Sequence, residues 1–181
     1  MKITRTSIDD CILFTSKKYI DERGFFAETF RENIFKKRLG ENIKFVQENI
    51  SYSNRNVLRG LHIQLQNQQG KLIRVVKGKI FDVGVDLRKN SSTFGKSISV
   101  ELSDECATQF WLPPGFAHGF CVLSDFAVVE YKCTEYYDSE NEITLMWNDP
   151  ILQIDWPNQN FIISQKDNEG MTLKDLKKIL L

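Results

Sequence analysis

Histidine is the rarest residue in this chain, with two in 181 positions, His62 and His118. That scarcity excludes any metal site built on three imidazoles. Charge of one sign is also lacking: Lys+Arg and Asp+Glu both number 24. No net field draws nucleic acid or an anionic membrane, so an anionic ligand must be held by a local basic pocket. No apolar run approaches the length of a membrane span. The start, Met1-Lys2-Ile3-Thr4-Arg5, has no apolar core of a signal peptide. Cys11, Cys106, Cys121 and Cys133 form no C-x-x-C pair and no disulfide framework, which reads as free thiols in a reducing cytoplasm. Repeats, low-complexity tracts and Pro/Ser/Gly-rich linkers are missing, so residues 1–181 read as one domain with a sizeable core.

What the chain does have is alternation. Phe81, Val83, Val85 and Leu87 alternate with Ile80, Asp82, Gly84 and Asp86, and Ile98, Val100 and Leu102 with Ser97, Ser99, Glu101 and Ser103. This period of two marks strands with unlike faces, separated by the turn cluster Lys89-Asn90-Ser91-Ser92. Further strands are expected at 45–52, 57–64, 71–77, 109–112, 119–123 and 126–137, a density that predicts an all-β sandwich or barrel. Helices are expected only at the periphery. One covers 31–39 and stops at Gly40; another runs from the N-cap Thr172 to Leu181. The unpatterned stretch 157–171 reads as a long loop, and long loops carry function.

Several strands set polar groups in register with apolar ones: Val129, Tyr131, Cys133, Glu135 and Tyr137; Phe45, Gln47, Asn49 and Ser51; Gly60, His62 and Gln64. A filled barrel wants an apolar inner face, whereas a wet, ligand-binding lumen wants this mixture. Pro113-x-Gly115-x-x-His118 resembles the second motif of cupin barrels. The first cupin motif, with two histidines one residue apart, is replaced here by His62-Ile63-Gln64. The barrel is therefore expected, and the metal is not.

Motifs along nearly the whole chain resemble the dTDP-4-dehydrorhamnose 3,5-epimerase family. They are Asp21-Glu22-Arg23-Gly24-Phe25-Phe26-Ala27-Glu28-Thr29-Phe30, Phe45-Val46-Gln47-Glu48-Asn49, Leu58-Arg59-Gly60-Leu61-His62-Ile63-Gln64 and Lys71-Leu72-Ile73-Arg74-Val75. Asp86-Leu87-Arg88, Pro114-Gly115-Phe116-Ala117-His118-Gly119-Phe120 and Tyr131-Lys132-Cys133-Thr134 follow in order. Trp147-Asn148-Asp149-Pro150, Ile154-Asp155-Trp156-Pro157 and Ser164-Gln165-Lys166-Asp167 complete the series. The resemblance implies a cupin-type jelly-roll barrel with a few peripheral helices, a homodimer, and no metal or organic cofactor. It also implies inversion of C3 and C5 in a 4-keto-6-deoxyhexose carried on a nucleoside diphosphate. The keto group acidifies both neighbouring carbons, so the chemistry needs a base on one face, a group to hold the enolate oxygen, and an acid on the other face.

By the same resemblance His62 is the base and Asp167 orients its ring. Lys71 holds the enolate oxygen, and Tyr131 is the acid. Arg23, Arg59 and Lys166 belong to the anionic and sugar end, with Glu28, Gln47, Asn49, His118 and Glu142 as polar contacts and Tyr137 stacked on the base. The segment with Arg23 and Glu28 is lent across the dimer in relatives. Two departures stand out: Leu65-Gln66-Asn67-Gln68-Gln69-Gly70 lacks the usual proline, and Cys106 replaces an asparagine. The same residue set also suits a C3-only or C5-only epimerase, or another nucleotide sugar. A non-catalytic nucleotide-sugar binder has no need of an opposed acid and base, and a metal-dependent oxygenase lacks its histidines.

Overall fold

The structure is a computed structural model and describes residues 1–158 and 160–180, so Gln159 in the expected loop and Leu181 at the end of the expected tail helix lie outside the described residues. Strands dominate. Four short ones open the chain: β1 (Lys2–Arg5), β2 (Ile12–Thr15), β3 (Tyr19–Asp21) and β4 (Gly24–Phe26). Helix α1 (Glu32–Leu39) follows, then β5 (Gln47–Asn54), β6 (Val57–Gln64), β7 (Lys71–Lys77) and β8 (Lys79–Asp86). Next come β9 (Ser97–Ser103), β10 (Thr108–Leu112), β11 (Phe116–Val122) and β12 (Phe126–Cys133). The chain ends with β13 (Glu142–Thr144), β14 (Ile162–Ile163), α2 (Gln165–Asn168) and α3 (Leu173–Leu180).

Two sheets face each other. The first has the order β1-β2-β10-β7-β12-β5, and the second β13-β6-β11-β8-β9 with β14 alongside β6. Between them one region is packed with Ile73, Val75, Ile80, Phe110, Phe116, Phe120 and Val129. Each outer face is covered as well. Residues of β6, β8 and β11 pack under Leu145, Leu152, Trp156, Leu173 and Leu176 of the C-terminal segment. On the other side Phe35 of α1 sits on Phe14, Leu72 and Trp111. This double cover explains why β8 is buried almost throughout although its sequence alternates. Asp82 and Asp86 do not face solvent; both are buried.

The helices start and stop where their ends are satisfied. Gly40 takes a positive φ of 120° and its N–H returns to Lys36 O at 2.8 Å, closing α1. Thr172 Oγ1 accepts the Asp175 N–H at 3.1 Å and so caps α3. The expected strand 126–137 is shorter than its alternation implied. It ends at Cys133, and Tyr137 N–H and Asp138 N–H turn to the side chains of Gln47 and Gln64. Glu135 and Tyr137 therefore leave the ladder. The loop expected at 157–171 is not structureless, for it holds both β14 and α2.

Candidate active site

A cavity of about 280 Å³ opens between the two sheets. Tyr131 of β12 and Lys71 of β7 reach it from the first sheet, as do Gln47 and Asn49 of β5. His62 and Arg59 of β6, His118 of β11 and Glu142 of β13 reach it from the second. Lys166 and Asp167 arrive on α2, and Tyr137 on the turn after β12. Eleven of the thirteen expected residues thus meet in one place. Arg23 and Glu28 do not: Arg23 is exposed and bonded to Asp21, and Glu28 is bonded to Arg31.

His62 Nε2 lies 2.6 Å from Asp167 Oδ1. The nitrogen left for a substrate is Nδ1. The carboxylate is fixed by its backbone, because Ser164 caps α2 by accepting the Asp167 N–H at 3.1 Å. It is fixed also by its second oxygen, which accepts the Gly60 N–H at 3.3 Å. Burial works to raise the Asp167 pKa, but the bonds from His62, Gly60 and Ser164 outweigh it and hold the carboxyl below its ordinary range. Gly60 permits this geometry. Its φ is +113°, and a Cβ there would stand 2.5 Å from Gly119 Cα and 2.6 Å from His118 O.

Lys71 is only 7% exposed, and among the described residues its side chain makes no hydrogen bond or ion pair. Burial pushes its pKa down, with the charges of Cys133 and Glu142 opposing. A buried lysine without a side-chain partner among the described residues is available to whatever negative charge enters the cavity. Tyr131 packs against the apolar core, and burial raises its pKa, so its hydroxyl keeps its proton at neutral pH.

At the mouth, Arg59 Nε donates to Ser53 Oγ at 2.9 Å. Glu142 accepts from Tyr137 Oη at 3.1 Å and also from Lys166. His118 Nε2 lies 2.9 Å from Asp82 Oδ2. Sequence reasoning passed over Asp82, because a carboxylate alternating with valines looks like a solvent face. It also passed over Ser164, although a serine three residues before an aspartate is a capping signal. Gln69 and Phe120 line the cavity too, without a pattern to mark them. Among the described residues no group of three or more His, Cys, Asp or Glu side chains is placed to hold a metal.

An imidazole paired with a carboxylate on one sheet, with a phenol and a buried lysine on neighbouring strands of the other, lines a single cavity in a cupin-type jelly-roll barrel and marks it as a barrel with an acid–base pocket. The comparisons with known proteins make that class particular. The profile of the dTDP-4-dehydrorhamnose 3,5-epimerase family matches residues 5–175, and the chain belongs to this family. The dTDP-4-dehydrorhamnose 3,5-epimerase of Methanothermobacter thermautotrophicus is 50% identical over 177 residues, covering 96% of this chain and 95% of the relative. A crystal structure of dTDP-6-deoxy-D-glucose-3,5-epimerase from Legionella pneumophila, in complex with dTDP-4-keto-L-rhamnose, matches with a TM-score of 0.95 at 47% identity. The match covers 99% of this chain and 96% of that one. A 3'-monoepimerase from Streptomyces bikiniensis in complex with dTDP-quinovose matches with a TM-score of 0.90 at 30% identity, covering 97% of this chain and 89% of that one.

Proposed function

We propose that this chain converts dTDP-4-dehydro-6-deoxyglucose to dTDP-4-dehydrorhamnose by inverting C3 and C5, without metal or organic cofactor. The observation that carries the reading is the opposition of His62 and Tyr131 on different sheets across one cavity, with Lys71 beside them. His62 Nδ1 takes the proton next to the keto group while Asp167 stabilises the imidazolium that forms. Lys71 receives the enolate oxygen. Tyr131 then delivers a proton to the opposite face. Arg59 and Lys166 take the diphosphate, for which a guanidinium offers two parallel donors. Gln47, Asn49, His118 and Glu142 are polar contacts to the ligand, and Tyr137 stacks on the base.

The decisive experiment is incubation with dTDP-4-keto-6-deoxyglucose in deuterated water, with NMR following the label. Deuterium at C3 and C5 with inversion at both is the expected result. Binding without exchange at either carbon would refute the reading. A C3-only reaction is the second reading, favoured by the likeness to the 3'-monoepimerase, and it predicts label at C3 alone.

The proposal extends to a cytoplasmic homodimer in which residues 1–181 act as one unit and the segment with Arg23 and Glu28, which includes the β3–β4 hairpin, is lent to the partner's site. Support comes from the hairpin's bare apolar side chains, with Ile20 79% and Phe26 70% exposed, and from the pairing of Arg23 with Asp21 and of Glu28 with Arg31 outside the lining of their own cavity. An active monomer in sedimentation would refute the exchange. Among the described residues no helix is long and apolar enough to cross a membrane.

A further inference from the structure

Inverting two carbons in one visit makes a demand that inverting one does not. Each inversion consumes one proton from the acid, so Tyr131 must be reloaded before the second. His62 has an easy outlet for the protons it collects, since 30% of its side chain is exposed. Tyr131 is half-buried against the core, and among the described residues its hydroxyl has no hydrogen-bond partner. Its ring does face that of His118, at a centroid distance of 6.3 Å.

His118 belongs to a second His–carboxylate pair, distinct from His62–Asp167. Asp82 is fully buried, and among the described residues its Oδ1 has no hydrogen-bond partner while Oδ2 meets His118 Nε2 at 2.9 Å. Among the described residues this is the only hydrogen bond the His118 side chain makes, and its Nδ1 is not among the buried polar atoms left without a partner. Since His118 lines the cavity, Nδ1 is the nitrogen open to it. A fully buried carboxylate whose one side-chain partner among the described residues is a histidine is an expensive thing to bury. Burial drives the Asp82 carboxyl upward, with His118 opposing, so a proton shared along the Nε2–Oδ2 contact relieves the charge that burial penalises.

We propose that the Asp82–His118 pair is the proton store that reloads Tyr131 between the two inversions, with His118 Nδ1–H giving its proton to the Tyr131 phenolate directly or through one water. This rests on the epimerase reading. The first reprotonation forms a C–H bond from the enolate electron pair and breaks the Tyr131 O–H bond, whose electrons stay on the phenolate. The Nδ1–H bond then breaks, the proton restores the Tyr131 hydroxyl, and its electron pair stays on Nδ1. The proton shared between Nε2 and Oδ2 settles on Nε2, leaving neutral imidazole against carboxylate. Solvent entering the cavity after product leaves returns the missing proton. Nothing is oxidised or reduced. The direction is downhill, because a phenolate in this buried setting is a stronger base than a free one.

A merely structural pair would, if lost, slow both inversions together. A store would, if lost, spare the first and delay the second. The test uses Asp82→Asn, which keeps the shape but cannot hold the extra proton, and His118→Gln, which serves if the buried Asp82 variant does not fold. Each is incubated with dTDP-4-keto-6-deoxyglucose in deuterated water, and the singly and doubly inverted sugars are resolved by NMR over time. In Asp82→Asn the first inversion should stay within a few-fold of wild type and the second should slow about tenfold or more, so that singly inverted sugar accumulates; in His118→Gln, which also loses a ligand contact, the readout is the ratio of the second rate to the first, which should fall about tenfold. Equal slowing of both steps, or no accumulation in folded variants, would overturn the proposal. Wild-type protein alongside separates the two claims. If it fails to exchange either carbon, the epimerase reading falls and takes the store with it. If it inverts both, and so do the variants at matched rates, the store alone is refuted.

Discussion

Replacing Asp167 with Asn isolates one electrostatic contribution, because the carboxamide keeps the shape and an acceptor for the Gly60 N–H while removing the charge behind His62. The charge matters only once His62 has taken a proton. At an effective dielectric near 20, opposite charges about 4 Å apart attract by about 4 kcal/mol. With His62 30% exposed, solvent screening reduces that to about half. A carboxamide that presents its NH₂ and selects the wrong tautomer deepens the loss, as in the hydrolase triads. The electrostatic part alone, about 2 kcal/mol, corresponds to a fall of roughly 30-fold or more in the rate of proton abstraction. The assay is the initial rate of solvent deuterium incorporation under saturating substrate, with dTDP affinity measured in parallel. The loss should fall on kcat, since Asp167 stands behind the imidazole. A loss of less than about threefold, or one confined to KM, would refute the claim that the carboxylate works through His62.

Lys71→Met should separate catalysis from stability. Deuterium exchange should fall by about a hundredfold or more, as when an oxyanion donor is removed, while urea denaturation should show the variant at least as stable as wild type, since an unpartnered ammonium is no longer buried. Gly60→Ala should destabilise the protein by about 3 kcal/mol or more, given a positive φ and contacts of 2.5 Å and 2.6 Å waiting for the new methyl group; a urea midpoint close to wild type would contradict this. Burial raises the Asp86 carboxyl, but bonds from Arg88, Ser91 and Thr93 outweigh it and hold the pKa at about 2. Its folded pKa lies below the unfolded value, so its stabilisation is full above about pH 4 and is lost as pH falls toward 2. Asp86→Asn should therefore cost about 2 kcal/mol at pH 7, and the gap to wild type should shrink between pH 4 and pH 2 in denaturant titrations.

The strands with one dry and one mixed face were readable from alternation. β6 and β7 begin and end where the pattern puts them, because turn residues punctuate both ends. The four opening strands were not readable. β1 is exposed along its whole length, as are β3 and β4, so burial leaves no imprint on their sequences and backbone pairing alone defines them. The site residues were named through motif resemblance. What chain order could not supply was which groups oppose each other, since His62 and His118 are direct cross-strand neighbours whereas Tyr131 belongs to the other sheet. Asp82 needed the fold most. Only the closing of a second sheet over β8 turns a polar position on an alternating strand into a buried carboxylate.

Strands β7 and β12 are neighbours in register, and each carries core and chemistry on the same face. Val75 and Ile73 precede the cavity on one, with Lys71 two residues further; Val129 lies behind Tyr131 on the other, and Val75 pairs with Val129. The two reactive groups are thus the free ends of short stiff levers whose fulcrum is the apolar packing. How far the ammonium and the phenol wander relative to each other is set by how tightly those valines fit, several residues from any substrate. Fidelity of proton delivery, to one face of the sugar and not the other, is then a mechanical property of the core as much as a chemical property of the cavity.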